Sequence, residues 1–167
     1  MKPPAFFRLA GGLLAALTAL LDQWSKSSII AMAKVTALPM KILPFFNIVL
    51  VFNHGISFGM FAGAHAFMDW LLPACLSLIT LLLVVWLLRS QEKHVIVALG
   101  LIVGGAAGNL VDRLGEGVVT DFLDFHIGNY HWPAFNVADS AIFIGVVIFI
   151  FANIMCGKSN PQGQDTL

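Results

Sequence analysis

The sequence predicts an all-α integral membrane protein in which four transmembrane helices carry a small β-containing platform of extracytoplasmic loops. Hydrophobic residues make up 59% of the 167 residues and charged residues only 11%, and the mean hydropathy is +0.89. A soluble globular chain has roughly 45–50% apolar and about 25% charged residues. Four apolar stretches are long enough to cross a bilayer, which takes about 20 residues. One of the loops between them contains a run with the composition of a β-strand. The length fits a single membrane-embedded domain, residues 1–167.

The four spans differ in how polar they are. The first covers about residues 9–33 and is interrupted by polar residues, whereas the second, 70–88, is almost purely apolar. The third, 95–111, is rich in small residues, and the fourth, 135–156, is polar only at its start. A basic tip before a short apolar run is also typical of a signal peptide. The three later spans favour a transmembrane helix instead.

The basic residues predict the topology, because Lys and Arg near span ends are retained in the cytoplasm. Most of them lie on the two tails and the short middle loop: Lys2, Arg8, Arg89, Lys93 and Lys158. The longer loops, 34–69 and 112–134, contain only Lys34, Lys41 and Arg113. We therefore expect both termini inside and both longer loops outside. The polar tail, 157–167, is expected to be disordered.

The first outer loop contains a β-branched and aromatic run, Asn47 to Asn53, between Pro44 and Gly55. This composition is typical of a strand. Because unpaired strand edges are not tolerated in hydrocarbon, the strand should lie above the membrane plane. Neighbouring aromatic residues would then enter the interface: Phe45, Phe46, Phe58 and Phe61.

The charge balance and the cysteines exclude several classes of partner. Nine Lys and Arg residues balance nine Asp and Glu residues, so the basic surface that a nucleic-acid partner needs is missing. Cys75 and Cys156 are far apart in apolar stretches, which suggests neither a disulfide framework nor a metal motif. Membrane lipid and membrane-borne molecules are the expected partners.

Polar residues inside spans are functional candidates because they are costly in lipid. Asp22 and Lys26 are four residues apart, which places them on one helix face as an ion pair. The pair can stabilise the helix arrangement or contact the substrate directly. In the third span, Gly100, Gly104 and Gly108 form a smooth stripe that allows close helix packing.

Two polar groups flank the second outer loop. Asn109, Asp112 and Arg113 follow the glycine stripe, and we interpret them as a helix-end network in which Arg113 neutralises an acid. Asn136 and Asp139 share a face at the start of the fourth span. An aspartate in a first turn can simply complement the helix dipole.

Asp121 and Asp139 differ from Asp22 and Asp112 because no cation is adjacent to them in the sequence. Two carboxylates that share a low-dielectric site cannot both ionise easily, so one stays protonated while the other acts as a base. This division is what peptide hydrolysis by water requires, without a covalent intermediate. Spacing alone leaves open other pairings that involve Asp124.

Two other kinds of site compete with this dyad. Residues 55–59 fit the G-x-S-x-G pattern around a nucleophilic serine, Ser57; such a site would also need one of His54, His65, His126 and His131. A divalent metal could bind Asp121, Asp124, His126 and His131, although the sequence has no helical metal-ligand spacing.

Five short sequence blocks follow one another in a characteristic order. They are DQWSK at 22–26, NHGISF at 53–58, GGAAGNLVDR at 104–113, VTDF at 119–122 and FNVADSA at 135–141. In these blocks the chain resembles the lipoprotein signal peptidases of bacterial membranes, the signal peptidase II family. The resemblance covers nearly the whole chain.

The resemblance implies an aspartic endopeptidase of the bacterial inner membrane that removes the signal peptide of diacylglyceryl-modified prolipoproteins, cutting before the lipidated Cys. It implies no metal or other cofactor, and inhibition by globomycin-type cyclic peptides. The family's catalytic pair falls on Asp121 and Asp139. Its supporting residues fall on Asp22, Lys26, Asn53, Gly55, Gly108, Asn109, Asp112, Arg113, Asn136 and Ala138.

Two other function classes also place acids in membranes. A metal-dependent lipid head-group transferase would have the pattern D-x-x-D-G-x-x-A-R, which is missing here. A proton-coupled carrier would use the acids as a relay, but carriers are usually longer and contain repeats.

Overall fold

The computed structural model describes residues 5–55 and 65–157. It contains the helices α1 (Ala5–Ala33), α2 (His65–Arg89), α3 (Lys93–Gly115) and α4 (Val137–Gly157). The strands are β1 (Met40–Leu43), β2 (Phe46–Asn53), β3 (Val119–Ile127) and β4 (Tyr130–His131). The candidate nucleophile Ser57 and nearly all of the tail expected to be disordered lie outside the described residues.

All four helices are long and apolar enough to cross a membrane, which confirms the prediction of four helices with a small sheet. The ends of the helices differ from the predicted ends of the apolar spans, because polar residues extend some helices and lie outside others. α3 begins at Lys93 and extends to Gly115. α4 begins only at Val137, because the backbone of Phe135 pairs with Leu123 of β3.

α3 is the central helix of the bundle. Half of the residues in the apolar stretch of α3 are buried (50%), compared with 22% in α1, 11% in α2 and 17% in α4. A Cβ atom at Gly104 would lie 2.5 Å from the carbonyl oxygen of Ala15 in α1, and one at Gly105 would collide with the carbonyl of Ala138 in α4. The glycines therefore serve close packing, as predicted.

The outer surface of the bundle is strongly apolar. Every helix exposes large apolar side chains, including Trp24 (70%), Trp70 (79%), Leu114 (64%) and Phe143 (70%). Because soluble monomers rarely expose such continuous apolar surface, lipid is the environment that this surface fits.

The four strands form one antiparallel sheet in the order β1-β2-β3-β4. The predicted strand is β2, which begins one residue earlier than expected. β2 pairs with β3 so that Val51 lies opposite Asp121 and Asn47 opposite Asp124. This register, together with the return of Phe135 to β3, places Asp121 beside the start of α4.

Candidate active site

The start of α4 is organised by a reciprocal pair of hydrogen bonds. The Asp139 N–H donates to Oδ1 of Asn136 (2.9 Å), and the Asn136 N–H donates to Oδ2 of Asp139 (3.2 Å). This arrangement is a capping box. Asp22 of α1 adds a third bond, since its Oδ1 accepts from the N–H of Ala138 (2.9 Å). Asp139 thus does serve its helix end, but its Oδ1 remains available for another partner.

Two asparagine amides connect Asp121 to Asp139. Asn136 Nδ2 donates to Asp121 Oδ1 (2.7 Å) and to Asn109 Oδ1 (3.1 Å), while Asn109 Nδ2 donates to Asp139 Oδ1 (2.8 Å). Asn53 Nδ2 donates to the second oxygen of Asp121 (2.9 Å). The fold therefore brings together two carboxyl groups that are 18 residues apart in the sequence, one on β3 and one on α4.

Asp121 is only 2% exposed, and its surroundings favour the protonated form. Burial raises the pKa of the Asp121 carboxyl above its ordinary value, and the neighbouring carboxylate of Asp139 adds to this increase. Hydrogen bonds from Asn53 and Asn136 act in the opposite direction without cancelling the effect. This is the electrostatic setting expected for one member of an acid pair.

Asp124 lies apart from this site. It is three residues from Asp121 in β3, so the two side chains point to opposite faces of the sheet. Asp124 accepts hydrogen bonds from Asn47 (2.8 Å) and His131 (2.8 Å). Although burial alone would raise the pKa of Asp124, these bonds outweigh burial and hold the pKa below its ordinary value. The pairings of Asp124 with the other two acids do not form.

The residues considered for a metal site are divided between the two faces as well. Asp124, His126 and His131 lie together, and Asp121 lies on the other side of the strand. Within residues 5–55 and 65–157, no group of three His, Cys, Asp or Glu side chains is arranged to hold a metal ion.

Lys26 forms a buried ionic centre beside Asn109. Its Nζ lies 2.7 Å from Asp22 Oδ2, 2.8 Å from Asp112 Oδ2 and 2.9 Å from Asn109 Oδ1. An ammonium has three N–H donors, and each has an acceptor here. The predicted pair of Asp22 and Lys26 is confirmed, and its side chains are 0% and 3% exposed.

Asp112 does not pair with Arg113, the cation that is adjacent to it in the sequence. Adjacent helix residues point about 100° apart, and Asp112 instead faces α1, where it pairs with Lys26 and accepts a bond from Gln23 (2.6 Å). In the described part of the chain Arg113 forms no salt bridge within 4.0 Å. Its guanidinium charge lies within electrostatic reach of Asp121 and Asp139 as well as Asp112.

Two glycines leave room for charged side chains. A Cβ atom at Gly108 would lie 2.5 Å from Asp22 Oδ2. Gly55 has a φ of +81°, and a Cβ atom there would lie 2.7 Å from Nη1 of Arg113. Its N–H donates to Asn53 Oδ1 (2.8 Å), which orients that amide toward Asp121.

Two contributing residues were not predicted. Gln23 donates to the Gly108 carbonyl (3.0 Å) in addition to Asp112, and its signal was a polar residue next to Asp22 in an apolar span. Thr120 uses only its backbone: its N–H donates to Asp112 Oδ2 (3.3 Å), and its carbonyl accepts from Asn136 (3.4 Å). Backbone contacts of this kind leave no mark on the sequence.

A cavity of about 400 Å³ adjoins Asp139. Its walls are apolar apart from Asp139 and Ser140, and the lining residues are Trp132, Phe135, Asp139, Ser140, Phe143 and Ile144. Phe143 and Ile144 are 70% and 50% exposed on the outer surface of α4. The cavity is therefore open toward the lipid-facing side of the bundle.

Comparison with known proteins decides among the function classes. Residues 14–155 match the family model for signal peptidase (SPase) II. The chain belongs to the signal peptidase II family. It is 41% identical to the lipoprotein signal peptidase of Alteromonas mediterranea, over 92% of this chain and 86% of that protein. It is 43% identical to that of Beijerinckia indica, over 94% and 96% of the two chains.

Two solved structures of bacterial membrane enzymes, obtained by the in meso method, have the same fold. The one at 2.3 Å resolution has a TM-score of 0.67 and 27% identity, over 95% of this chain and 94% of that chain. The one at 1.9 Å resolution has a TM-score of 0.69 and 30% identity, over 86% and 91%. This signal peptidase II is thus a multi-pass membrane peptidase of the aspartic type. The transferase and carrier hypotheses gain no support.

Proposed function

We propose that this signal peptidase II cleaves diacylglyceryl-modified prolipoproteins before the lipidated Cys, with Asp121 and Asp139 as the catalytic pair. The observation that carries the proposal is the connection of the two carboxyl groups through the amides of Asn136 and Asn109. Signal peptides contain an apolar stretch, and the exposed apolar surface of the helices fits the same lipid environment.

Hydrolysis at this pair needs no covalent intermediate. The protonated aspartate donates a hydrogen bond to the scissile carbonyl, and the ionised aspartate accepts a proton from a water molecule as its oxygen attacks the carbonyl carbon. In the tetrahedral intermediate, a proton is then transferred to the peptide nitrogen as the C–N bond breaks. The pair ends with one proton, as it began.

Lys26 contributes by fixing the orientation of an amide. Because an ammonium can only donate, Asn109 must present Oδ1 to Lys26 and therefore Nδ2 to Asp139. Asn136 likewise presents Nδ2 to both Asp121 and Asn109. The carboxyl oxygens are thus held before substrate arrives, which lowers the reorganisation needed in the transition state.

The cavity beside Asp139 suits the lipid portion of the substrate. Its apolar walls, which include Phe135 and Phe143, open to the lipid-facing surface of α4. The acyl chains of the modified Cys would occupy this cavity after lateral diffusion in the outer leaflet. Globomycin-type cyclic peptides would compete at the same place.

For the location, we infer the bacterial cytoplasmic membrane, with both termini in the cytoplasm and the dyad near the outer face. The asymmetry of the basic residues supports this orientation. Arg8, at the start of α1, binds the carbonyl of Leu88 (3.1 Å), and Lys93 lies 4.4 Å from the ring centre of Phe7. These basic residues cluster at the helix ends opposite the sheet.

A cleavage assay with purified protein in lipid tests the proposed activity. The substrates are one prolipoprotein with and without its diacylglyceryl group, and mass spectrometry identifies the products. We expect cleavage before the lipidated Cys only in the modified form, inhibition by globomycin and full activity in EDTA. Equal cleavage of both forms, or loss of activity in EDTA, would contradict the proposal.

A further inference from the structure

The chain between Asp121 and Asp139 returns along β3 before it enters α4. His131 of β4 pairs with His126, the Trp132 N–H donates to the Phe125 carbonyl (2.8 Å), and the Phe135 N–H donates to the Leu123 carbonyl (3.1 Å). The next residue is Asn136, which contacts both members of the proposed pair. The path of this return segment, residues 131–135, therefore sets the position of Asn136.

The backbone pairing of the return segment is irregular. Backbone bonds join the segment to β3 between Trp132 and Phe125 and between Phe135 and Leu123. Between these two pairs the return segment advances by three residues, whereas β3 advances by only two. Pro133 lies within this extra length and has no N–H to donate. Such bulges re-aim the residues that follow them, and regular backbone pairing resumes only at Phe135, whose carbonyl accepts from the N–H groups of Phe122 (3.0 Å) and Leu123 (2.8 Å).

Side chains link the strands next to this irregularity. Nδ1 of His131 lies 2.8 Å from Oδ1 and 2.9 Å from Oδ2 of Asp124, and Asn47 of β2 donates to Oδ2 of Asp124 (2.8 Å). Asp124 is 5% exposed. Because its low pKa keeps Asp124 ionised and acceptor-only, Nδ1 of His131 must carry the proton. The ring of His126 stacks on that of His131 with centres 4.8 Å apart.

We infer that Asn47, Asp124 and His131 form a clasp that positions Asn136, and through it the catalytic pair. The clasp residues are positioning residues, since in the described part of the chain their side chains bond to one another and not to Asp121 or Asp139. The inference rests on the proposed function. It predicts that loss of the clasp impairs the chemical step more than substrate binding.

The test compares matched substitutions at His131 in the full-length enzyme in lipid. In His131→Asn, the amide nitrogen takes the place of Nδ1 and can donate to Asp124. In His131→Gln, the amide nitrogen takes the place of Nε2 instead, so the bond to Asp124 is lost. We expect His131→Ala and His131→Gln to lose kcat on the order of 10- to 100-fold, with KM changed by about twofold or less. His131→Asn should recover most of kcat.

Two further measurements separate positioning from simple stabilisation. The double variant Asp124→Ala/His131→Ala should be no slower than either single variant, because residues that act as a unit are non-additive. The Asn136 side-chain amide signals in ¹⁵N NMR should shift in His131→Ala and return in His131→Asn. His94→Ala, at the cytoplasmic end of α3, serves as the control with unchanged kcat.

The outcomes distinguish the clasp from the proposed function. Wild-type protein that fails to cleave lipid-modified substrate would refute the proposed function, and the NMR signals would still test the clasp. Unchanged kcat in His131→Ala, equal effects of Asn and Gln, or unmoved Asn136 signals would overturn the clasp.

Discussion

Gly55 occupies a position that a side chain would disturb in two ways. Its φ of +81° is strained for other residues, and a Cβ atom would lie 2.7 Å from Arg113 Nη1 and 2.8 Å from Leu72 Cδ2. Gly117 has a similar φ of +73° but open space around it. Substitutions at these two positions therefore distinguish the effect of backbone strain, which both share, from the effect of displacing Arg113, which only Gly55 has.

We expect Gly55→Ala and Gly117→Ala each to lose about 1–2 kcal/mol of stability from the left-handed backbone. Only Gly55→Ala should also lose activity, because the new methyl group displaces the Arg113 guanidinium, whose charge acts on Asp121 and Asp139. Thermal unfolding and the cleavage assay measure the two effects. Equal activity of the two variants would show that the guanidinium position is unimportant.

Asp121 gives a prediction for the pH dependence of stability. Its pKa in the folded state is raised above 3.8, chiefly by burial. Between 3.8 and the raised value, the folded state keeps a proton that the unfolded state has lost, so stability falls as pH rises. Asp121→Asn has no such titration. The melting temperature of Asp121→Asn minus that of wild type should therefore increase as pH rises through this window.

Asp124→Asn provides a control of opposite sign. The folded-state pKa of Asp124 is lowered, so its contribution to stability is present above 3.8 and is lost as pH falls through the folded pKa. The deficit of Asp124→Asn relative to wild type should shrink on acidification. The same pH trend in both variants would contradict the assigned environments.

The local pairing of charges shows what spacing can predict. Asp22 and Lys26 are four residues apart in one helix, and their contact follows from helix geometry alone. The partner of Asp112 does not, because Lys26 comes from another helix and adjacency to Arg113 is misleading. Contacts within a helix are set by its period, whereas contacts between helices depend on their packing.

At the scale of elements, Lys26 links α1 to α3 through a buried ion pair. Its removal in Lys26→Met should leave Asp22 and Asp112 without a cation, at a cost of roughly 3–5 kcal/mol. Thermal unfolding and protein abundance in the membrane measure this loss. Lys41→Met, on the exposed strand β1, should be neutral. Wild-type stability of Lys26→Met would contradict the buried network.

The elements themselves were predictable to different degrees. Long apolar runs predicted four helices, and glycines at every fourth position predicted the packed face of α3. β2 was predicted from its composition, but β3 was not, because its polar residues do not alternate. Asp121 and Asp124 lie on opposite faces, one toward the dyad and one toward the clasp, so both faces of β3 carry polar residues.

For the whole molecule, the proposed topology rests on the distribution of the basic residues. We expect reporter fusions after Lys34 and after Glu116 to be extracytoplasmic and a fusion after Ser90 to be cytoplasmic. The physical reason is retention of Lys and Arg on the inner side. A cytoplasmic reporter at Glu116 would contradict an active site near the outer face.

The site as a whole could not be assembled from spacing. Its side chains come from α1, β2, α3, β3 and α4, and the bonds join residues up to 116 positions apart. Unpaired acids in an apolar setting indicated the chemistry, and the five sequence blocks indicated which acids act. The amides that connect the acids became visible only in the fold.

The central claim is that Asp121 and Asp139 form one catalytic unit, and isosteric substitution tests it most directly. Turnover of the diacylglyceryl-modified substrate is measured for Asp121→Asn, Asp139→Asn, the double variant and Glu116→Gln, an exposed carboxyl-to-amide control. Each single variant should lose about 10²- to 10⁴-fold in kcat while remaining folded. The double variant should be little worse, and Glu116→Gln should match wild type. Robust turnover by either folded single variant would contradict the claim.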